Sequence, residues 1–364
     1  MRIRSLSFAV LLAAGTLFTA ACGDDDDDNN GNTAGTDGGS GAAGSEAAGT
    51  GGSAGTGGDA GTGGTTAAGT GGGAGTGTGT TAFVCEADQT IKPGLNEAWT
   101  AGGIKRSFYA TFPKDTTKPM AVVFWWHGYG GNAKDWEAVA PSPDLDPEFP
   151  FVVITPEDTD LFPTTTPQGL DWSIFDAKSD KANIEASLFE AVNGCLAKQY
   201  PINDKQLYVA GFSAGAIMTN LLATRYQGRI AASLAFSGAW FNDPEETKTI
   251  NTLGFPVTYS WDALTAPSTG MVLITHGGVN DTFSFNGQKV IDFELCAEKA
   301  DPFLLGAKRS YIECAHDKGH TPDPSITPAL AIQYFKDHRV GEASPYLGGK
   351  LPAAFPASCT LHEP

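Results

Sequence analysis

The chain has 364 residues, 46 of them glycine, and a formal net charge of −18. From Ala82 to Pro364 it carries 33 acidic and 21 basic residues, a net charge of −12 with no basic stripe. That balance argues against a nucleic-acid partner, because phosphate binding rewards Lys and Arg.

The first residues read as an address. Arg2 and Arg4 precede an apolar, small-sided run through Phe8, Val10, Leu11, Leu12 and Leu17. The run is too short for a membrane span and suits an export signal over residues 1–21. It ends Thr19-Ala20-Ala21-Cys22, followed by Gly23 and five aspartates. This resembles a bacterial lipoprotein signal, which implies lipidation of Cys22 and a membrane anchor; Thr19 stands where that pattern prefers Leu. Plain cleavage after Ala21 is the alternative. Residues 22–81 are mostly Gly, Ala, Thr, Ser, Asp and Asn, which cannot build a core and read as a tether. Its flexible reach is roughly 45 Å. Residues 82–364 are long enough for one large α/β domain with a buried interior.

Within that domain, Ile104 to Phe112 suits an antiparallel edge strand. Met120 to Trp126 and Phe149 to Thr155 are continuous apolar runs, as strands buried on both faces require. Leu207 to Ala210, Ile230 to Phe236, Met271 to Thr275 and Arg309 to Ala315 complete the predicted strands. Ile184, Leu188, Val192 and Leu196 recur every four residues and predict a helix over Lys181 to Tyr200. Ala214 to Tyr226 and Thr327 to His338 also suit helices. Strands alternating with helices predict an α/β fold, a mainly parallel central sheet flanked by helices on both faces.

Gly211-Phe212-Ser213-Ala214-Gly215 joins the Leu207 strand to the helix that follows. This G-x-S-x-G pattern at a strand-to-helix turn predicts Ser213 as a nucleophile. The same pattern at Gly51 to Gly55 has neither strand nor helix beside it, so context carries the signal. The Met120 strand runs into His127-Gly128-Tyr129-Gly130-Gly131. A backbone N–H of Tyr129, paired with that of Ala214, is expected to form an oxyanion hole. His276-Gly277-Gly278-Val279-Asn280-Asp281 follows a later strand, and Asp281 is the expected acid, with Asp292 in reserve. His320, beyond the last strand and next to Gly319, is the expected base, with His316 as competitor. His127 and His276 are expected to shape their loops. No catalytic metal and no cofactor are expected.

Together, His127-Gly128-Tyr129-Gly130-Gly131, Gly211 to Gly215, His276-Gly277 with Asp281, and Gly319-His320 resemble the α/β-hydrolase superfamily. More narrowly, they resemble exported esterases of the polyhydroxybutyrate depolymerase and feruloyl esterase group. Gly278-Val279-Asn280 intervene where such enzymes often carry Asp sooner after His-Gly. The resemblance implies the α/β-hydrolase fold and a two-step cleavage of carboxylic esters through an acyl enzyme, on polyester or feruloyl-type substrates. A peptidase or acyltransferase using the same three residues, or a surface-displayed binding protein without activity, are the alternatives. Tyr129, Trp240 and Trp261 are the expected substrate-binding aromatics. Apart from Cys22, five cysteines remain, an odd number. The expected pairs are Cys85 with Cys359, near the domain ends, and Cys296 with Cys314.

Overall fold

The computed structural model describes residues 82–85, 89–159, 171–175, 177–180, 182–249, 260–265, 270–285, 287–349 and 351–364. The signal, Cys22, the tether and Lys181 lie outside them.

The elements are β1 (Gly94–Ala101), β2 (Ile104–Thr111), β3 (Met120–Trp126), α1 (Ala133–Glu137), β4 (Phe151–Pro156), α2 (Ile184–Gln199), β5 (Ile202–Phe212), α3 (Ala214–Arg225), β6 (Ala232–Phe236), α4 (Pro244–Thr249), β7 (Met271–His276), β8 (Thr282–Phe285), β9 (Gln288–Asp292), α5 (Phe293–Gly306), β10 (Tyr311–Ala315), α6 (Pro328–Lys336) and β11 (Cys359–His362). Among the described residues, nine strands form one sheet in the order β1-β2-β4-β3-β5-β6-β7-β10-β11. The six strands from β4 to β10 in that order run parallel. Antiparallel β1 and β2 close one edge and antiparallel β11 closes the other.

Side-chain alternation along the central strands splits the core in two. Val122, Phe124 and Trp126 of β3, with Leu207 and Val209 of β5, meet Leu188, Val192 and Leu196 of α2 and Ile217, Leu221 and Leu222 of α3. Ala121, Val123 and Trp125, with Tyr208 and Ala210, point the other way and meet Leu330, Ala331 and Phe335 of α6. All seven β3 residues are buried, which is why β3 reads as an unbroken apolar run. The α/β fold with helices on both faces is thus the one expected from the sequence. The α2 boundary lies within the predicted helix because Asn183 caps it, its side chain accepting from the Glu185 and Ala186 N–H groups.

The expected cysteine pairs are corrected. Cys85 bonds Cys195, and Cys314 bonds Cys359. Cys359 lies opposite Cys314 in the antiparallel β10–β11 register, so it cannot reach Cys85. Residue 84–85 backbone lies against Gly194 of α2, which brings Cys85 to its neighbour Cys195. Cys296 belongs to no disulfide and is buried on α5.

Candidate active site

Ser213 sits between β5 and α3 with φ 55° and ψ −119°, a conformation that costs an L-residue about 1–3 kcal/mol. Two glycines make the turn possible. A Cβ on Gly215 would collide with the Trp126 and His127 carbonyl oxygens, and one on Gly211 with the Gly215 carbonyl. The turn therefore packs backbone on backbone against the end of β3. The Ser213 N–H donates to the Phe236 carbonyl at 2.9 Å, fixing the turn to β6 as well. Ala214 is the first residue of α3, where N–H groups have no acceptor within the helix.

The acid and base come from two loops locked together. After β7, Gly277 and a short 3-10 turn (Gly278–Asn280) deliver Asp281. After β10, Gly319 at φ +67° delivers His320. The Gly319 N–H donates to the Gly277 carbonyl at 3.0 Å, and a Cβ on Gly277 would collide with the Gly319 carbonyl. Only glycine allows these loops to dock so closely.

The result is a continuous hydrogen-bond chain. His320 Nε2 lies 2.9 Å from Ser213 Oγ, and His320 Nδ1 lies 2.6 Å from Asp281 Oδ1. An ionised carboxylate only accepts, so Nδ1 carries the proton and Nε2 is left to accept from the serine hydroxyl. Asp281 is fully buried. Its Oδ2 accepts from the Ser237 hydroxyl at 2.8 Å and from the Gly277 N–H at 2.7 Å. The imidazole is held flat by Phe293, stacked at 4.8 Å, and by Phe212 at 4.7 Å. The reserve candidates are engaged elsewhere. Asp292 caps α5 and pairs with Lys289, while His316 accepts from the Lys318 N–H.

The serine borders a tight cleft lined by Tyr129, Ser213, Ala214, Ile217, Phe283, Ile291 and Phe293. Tyr129 thus lines the same space as the serine, and its ring packs edge-on against Phe283 at 5.6 Å. A Cβ on Gly128 would lie 3.3 Å from Ser213 Cβ, so the loop before Tyr129 runs alongside the nucleophile. Two expected substrate contacts are not brought there. Trp240 is buried beside Ala223, Val272 and Ile274 and packs on Phe303. Trp261 packs at a tilt against Phe241 on a separate, wider depression that also involves Lys178 and Asn242 and no member of the hydrogen-bond chain. Ser237, Phe283, Ile291 and Phe293 went unread in the sequence. For the hairpin pair the signal was Asn286-Gly287, the dipeptide that favours a tight hairpin turn.

Behind the Tyr129 loop, His127 is also buried, and burial pushes its pKa down to about 4 against a smaller upward effect of the Gly128 carbonyl. His276 takes a different course. Burial opposes its protonation, but the hydrogen bond and charge of Glu313, 3.1 Å away, outweigh that and leave its pKa raised.

Comparison with known proteins agrees with this architecture. Residues 110–259 match the phospholipase/carboxylesterase family model. The chain is 31% identical over 144 residues to feruloyl esterase B of Neurospora crassa, covering 38% of this chain and 46% of that one. It is 25% identical over 193 residues to oxidized polyvinyl alcohol hydrolase of Sphingopyxis sp., covering 46% and 52%. The chain spans about half the length of the curated relatives it matches. Among solved structures, a pOPH variant in complex with DMSO superposes with a TM-score of 0.62 at 19% identity, over 78% of this chain and 96% of that one. The chain thus has the α/β-hydrolase fold and, over part of its length, is similar to proteins named as esterases.

Proposed function

We propose that the chain is an exported serine esterase that cleaves carboxylic esters through Ser213, His320 and Asp281. The observation that carries this reading is the unbroken contact from Ser213 Oγ through the imidazole to a buried carboxylate, at 2.9 and 2.6 Å. Ser213 Oγ attacks the ester carbonyl as its proton passes to His320 Nε2. Asp281 stabilises the imidazolium. The N–H groups of Tyr129 and Ala214 take the oxyanion. Collapse breaks the C–O bond, and His320 returns the proton to the departing alcohol. Water, deprotonated by His320, then attacks the acyl enzyme and releases the acid and Ser213.

The space beside the serine is tight and as it stands has no room for even a water-sized guest. Its apolar walls Ile217, Phe283 and Ile291 favour a short aliphatic acyl group, such as acetyl or hydroxybutyryl, over a bulky phenolic one. The names of the relatives span feruloyl, acetylxylan and oxidised polyvinyl alcohol substrates. A short acyl unit on a polymeric ester is the common ground with a tethered, extracellular enzyme. Export through residues 1–21 and anchoring by lipid on Cys22 belong to the same reading.

The test is a p-nitrophenyl ester series from acetate to octanoate, with a fluorophosphonate label. Turnover with label on Ser213 is expected, highest for the short chains. Ser213→Ala is expected to lower kcat by about 10⁵–10⁶-fold with the fold intact by circular dichroism. Full activity in that variant removes the mechanism, and label on no serine favours a binding shell.

A further inference from the structure

The loop that carries Tyr129 leaves β3 as His127-Gly128-Tyr129-Gly130-Gly131, and three of its five residues are glycine. The Gly131 N–H donates to the Gly128 carbonyl at 3.0 Å, and Gly130 sits at φ +73°. That is the arrangement of a type II turn with Tyr129 at its first central position. Glycine permits such a turn but leaves the backbone soft. A donor aimed at a transition state has to be fixed in advance, since a misplacement of about 1 Å can cost on the order of 100-fold in rate. The rigidity must therefore come from outside the loop.

Two adjacent residues between β4 and α2 supply it. Asp171 Oδ2 accepts from the Gly130 N–H, and the Trp172 indole Nε1 donates to the His127 carbonyl at 3.0 Å. The loop is thus gripped on either side of Tyr129, once by an acceptor and once by a donor. Both gripping residues are buried. The Trp172 ring also packs on the root of the loop, edge-on against Trp126 at 4.9 Å and tilted against His127 at 4.5 Å. The grip is itself anchored, because Asn183, the cap of α2, donates from Nδ2 to the Ser173 carbonyl at 2.7 Å. Asp171 holds a positive φ of 70°, a conformation that Asp tolerates at some cost and that persists where the surroundings impose it. Burial raises its carboxyl to about 6, opposed by the Gly130 hydrogen bond. Above neutral pH the group is therefore mainly ionised, and its hydrogen bond to the loop is charge-assisted.

We propose that Asp171 and Trp172 are positioning residues for the oxyanion hole, fixing the Tyr129 N–H by holding the Gly130 N–H and the His127 carbonyl on either side of it. The inference rests on the esterase reading, in which the Tyr129 N–H meets the developing negative oxygen. Neither Asp171 nor Trp172 lines the cleft at the serine, so both act through the loop. Loosening the loop weakens an interaction made in the transition state and not in the bound ester. The loss therefore falls on kcat rather than on KM.

The test is steady-state kinetics of the full chain on p-nitrophenyl acetate, with the rate of fluorophosphonate labelling and Tm measured on the same preparations. Asp171→Gly removes the carboxylate and leaves the left-handed backbone unstrained. Its kcat is expected to fall about 10–100-fold with KM within about twofold of wild type, and labelling is expected to slow in step. Asp171→Asn keeps an oxygen acceptor for the Gly130 N–H and is expected to recover most of kcat. Trp172→Phe keeps the packing, loses the indole N–H and is expected to lower kcat about tenfold. Wild-type kcat in Asp171→Gly, a loss confined to KM, or an Asp171→Asn variant no better than Asp171→Gly overturns the proposal. Should Asp171→Gly fail to fold, wild-type kcat in Trp172→Phe overturns it. A wild type without turnover, or full activity in Ser213→Ala, overturns the esterase reading instead.

Discussion

Ser237 never reaches the reacting atoms, yet it decides where the acid points. Its hydroxyl and the Gly277 N–H both hold Asp281 Oδ2, leaving Oδ1 for His320. It stands at the end of β6 with φ 56°, and its N–H donates to the Thr275 carbonyl at 2.8 Å. Ser237→Ala removes one of two donors from a buried carboxylate, so Asp281 turns more freely and the imidazole loses its fixed orientation. We expect kcat to fall about tenfold, equivalent to ~1.4 kcal/mol of barrier, with KM unchanged. Steady-state kinetics on p-nitrophenyl acetate check this, and an unchanged kcat would mean that Gly277 alone suffices. At this scale much of the candidate site was legible. Ser213, Asp281 and His320 each follow a buried strand and stand near glycines, and both features are local. Ser237 follows a strand too, but a lone serine there looks like any turn residue. Trp240 and Trp261 misled because the exposure of an aromatic depends on what packs over it, which no local pattern records.

The elements that the sequence pattern hid are those lacking a clean period. β1 carries a bulge between Asn96 and Trp99, so its buried positions do not alternate. β5 begins at Ile202, ahead of the predicted Leu207, because Asn203, Asp204 and Lys205 extend the strand with polar residues. α5 contains Pro302, which breaks a helical reading. The hairpin β8–β9 is short, but it supplies Phe283 and Ile291 to the cleft and is followed directly by Phe293. It therefore sets the size of the acyl group by the proposed mechanism. Phe283→Ala deepens the cleft without touching His320. The ratio of kcat/KM for octanoate to that for acetate is expected to rise by about tenfold or more, since one methylene in an apolar pocket is worth ~1–3 kcal/mol. The ester series measures this ratio, and a flat response would place the acyl group elsewhere.

Across the whole molecule, the parallel sheet was readable from apolar runs, whereas its closures came from long-range pairings that the chain does not announce. Cys85–Cys195 spans 110 residues and ties the start of the domain to α2; Cys314–Cys359 spans 45 and ties β11 to β10. Loop-closure entropy assigns about 5 and about 4 kcal/mol to them. Loss of the longer one by paired Cys→Ala substitution is expected to lower Tm by about 10 °C, read by calorimetry. β11 is also joined to its neighbours electrostatically. The Glu313 carboxylate on β10 faces His276 of β7 at 3.1 Å and His362 of β11 at 3.2 Å, and His362 Nδ1 lies 3.1 Å from Asp301. Because the His276 pKa is raised in the fold, its contribution to stability is full below about 6.5, the unfolded value, and is lost as pH climbs through the folded value. Glu313→Gln withdraws the charge responsible. The stability difference between wild type and Glu313→Gln is therefore expected to favour wild type most at pH 6 and to shrink by pH 8. Urea midpoints at both pH values measure it. A difference that stays constant or grows with pH would show that Glu313 acts on this edge of the sheet through its hydrogen bonds alone.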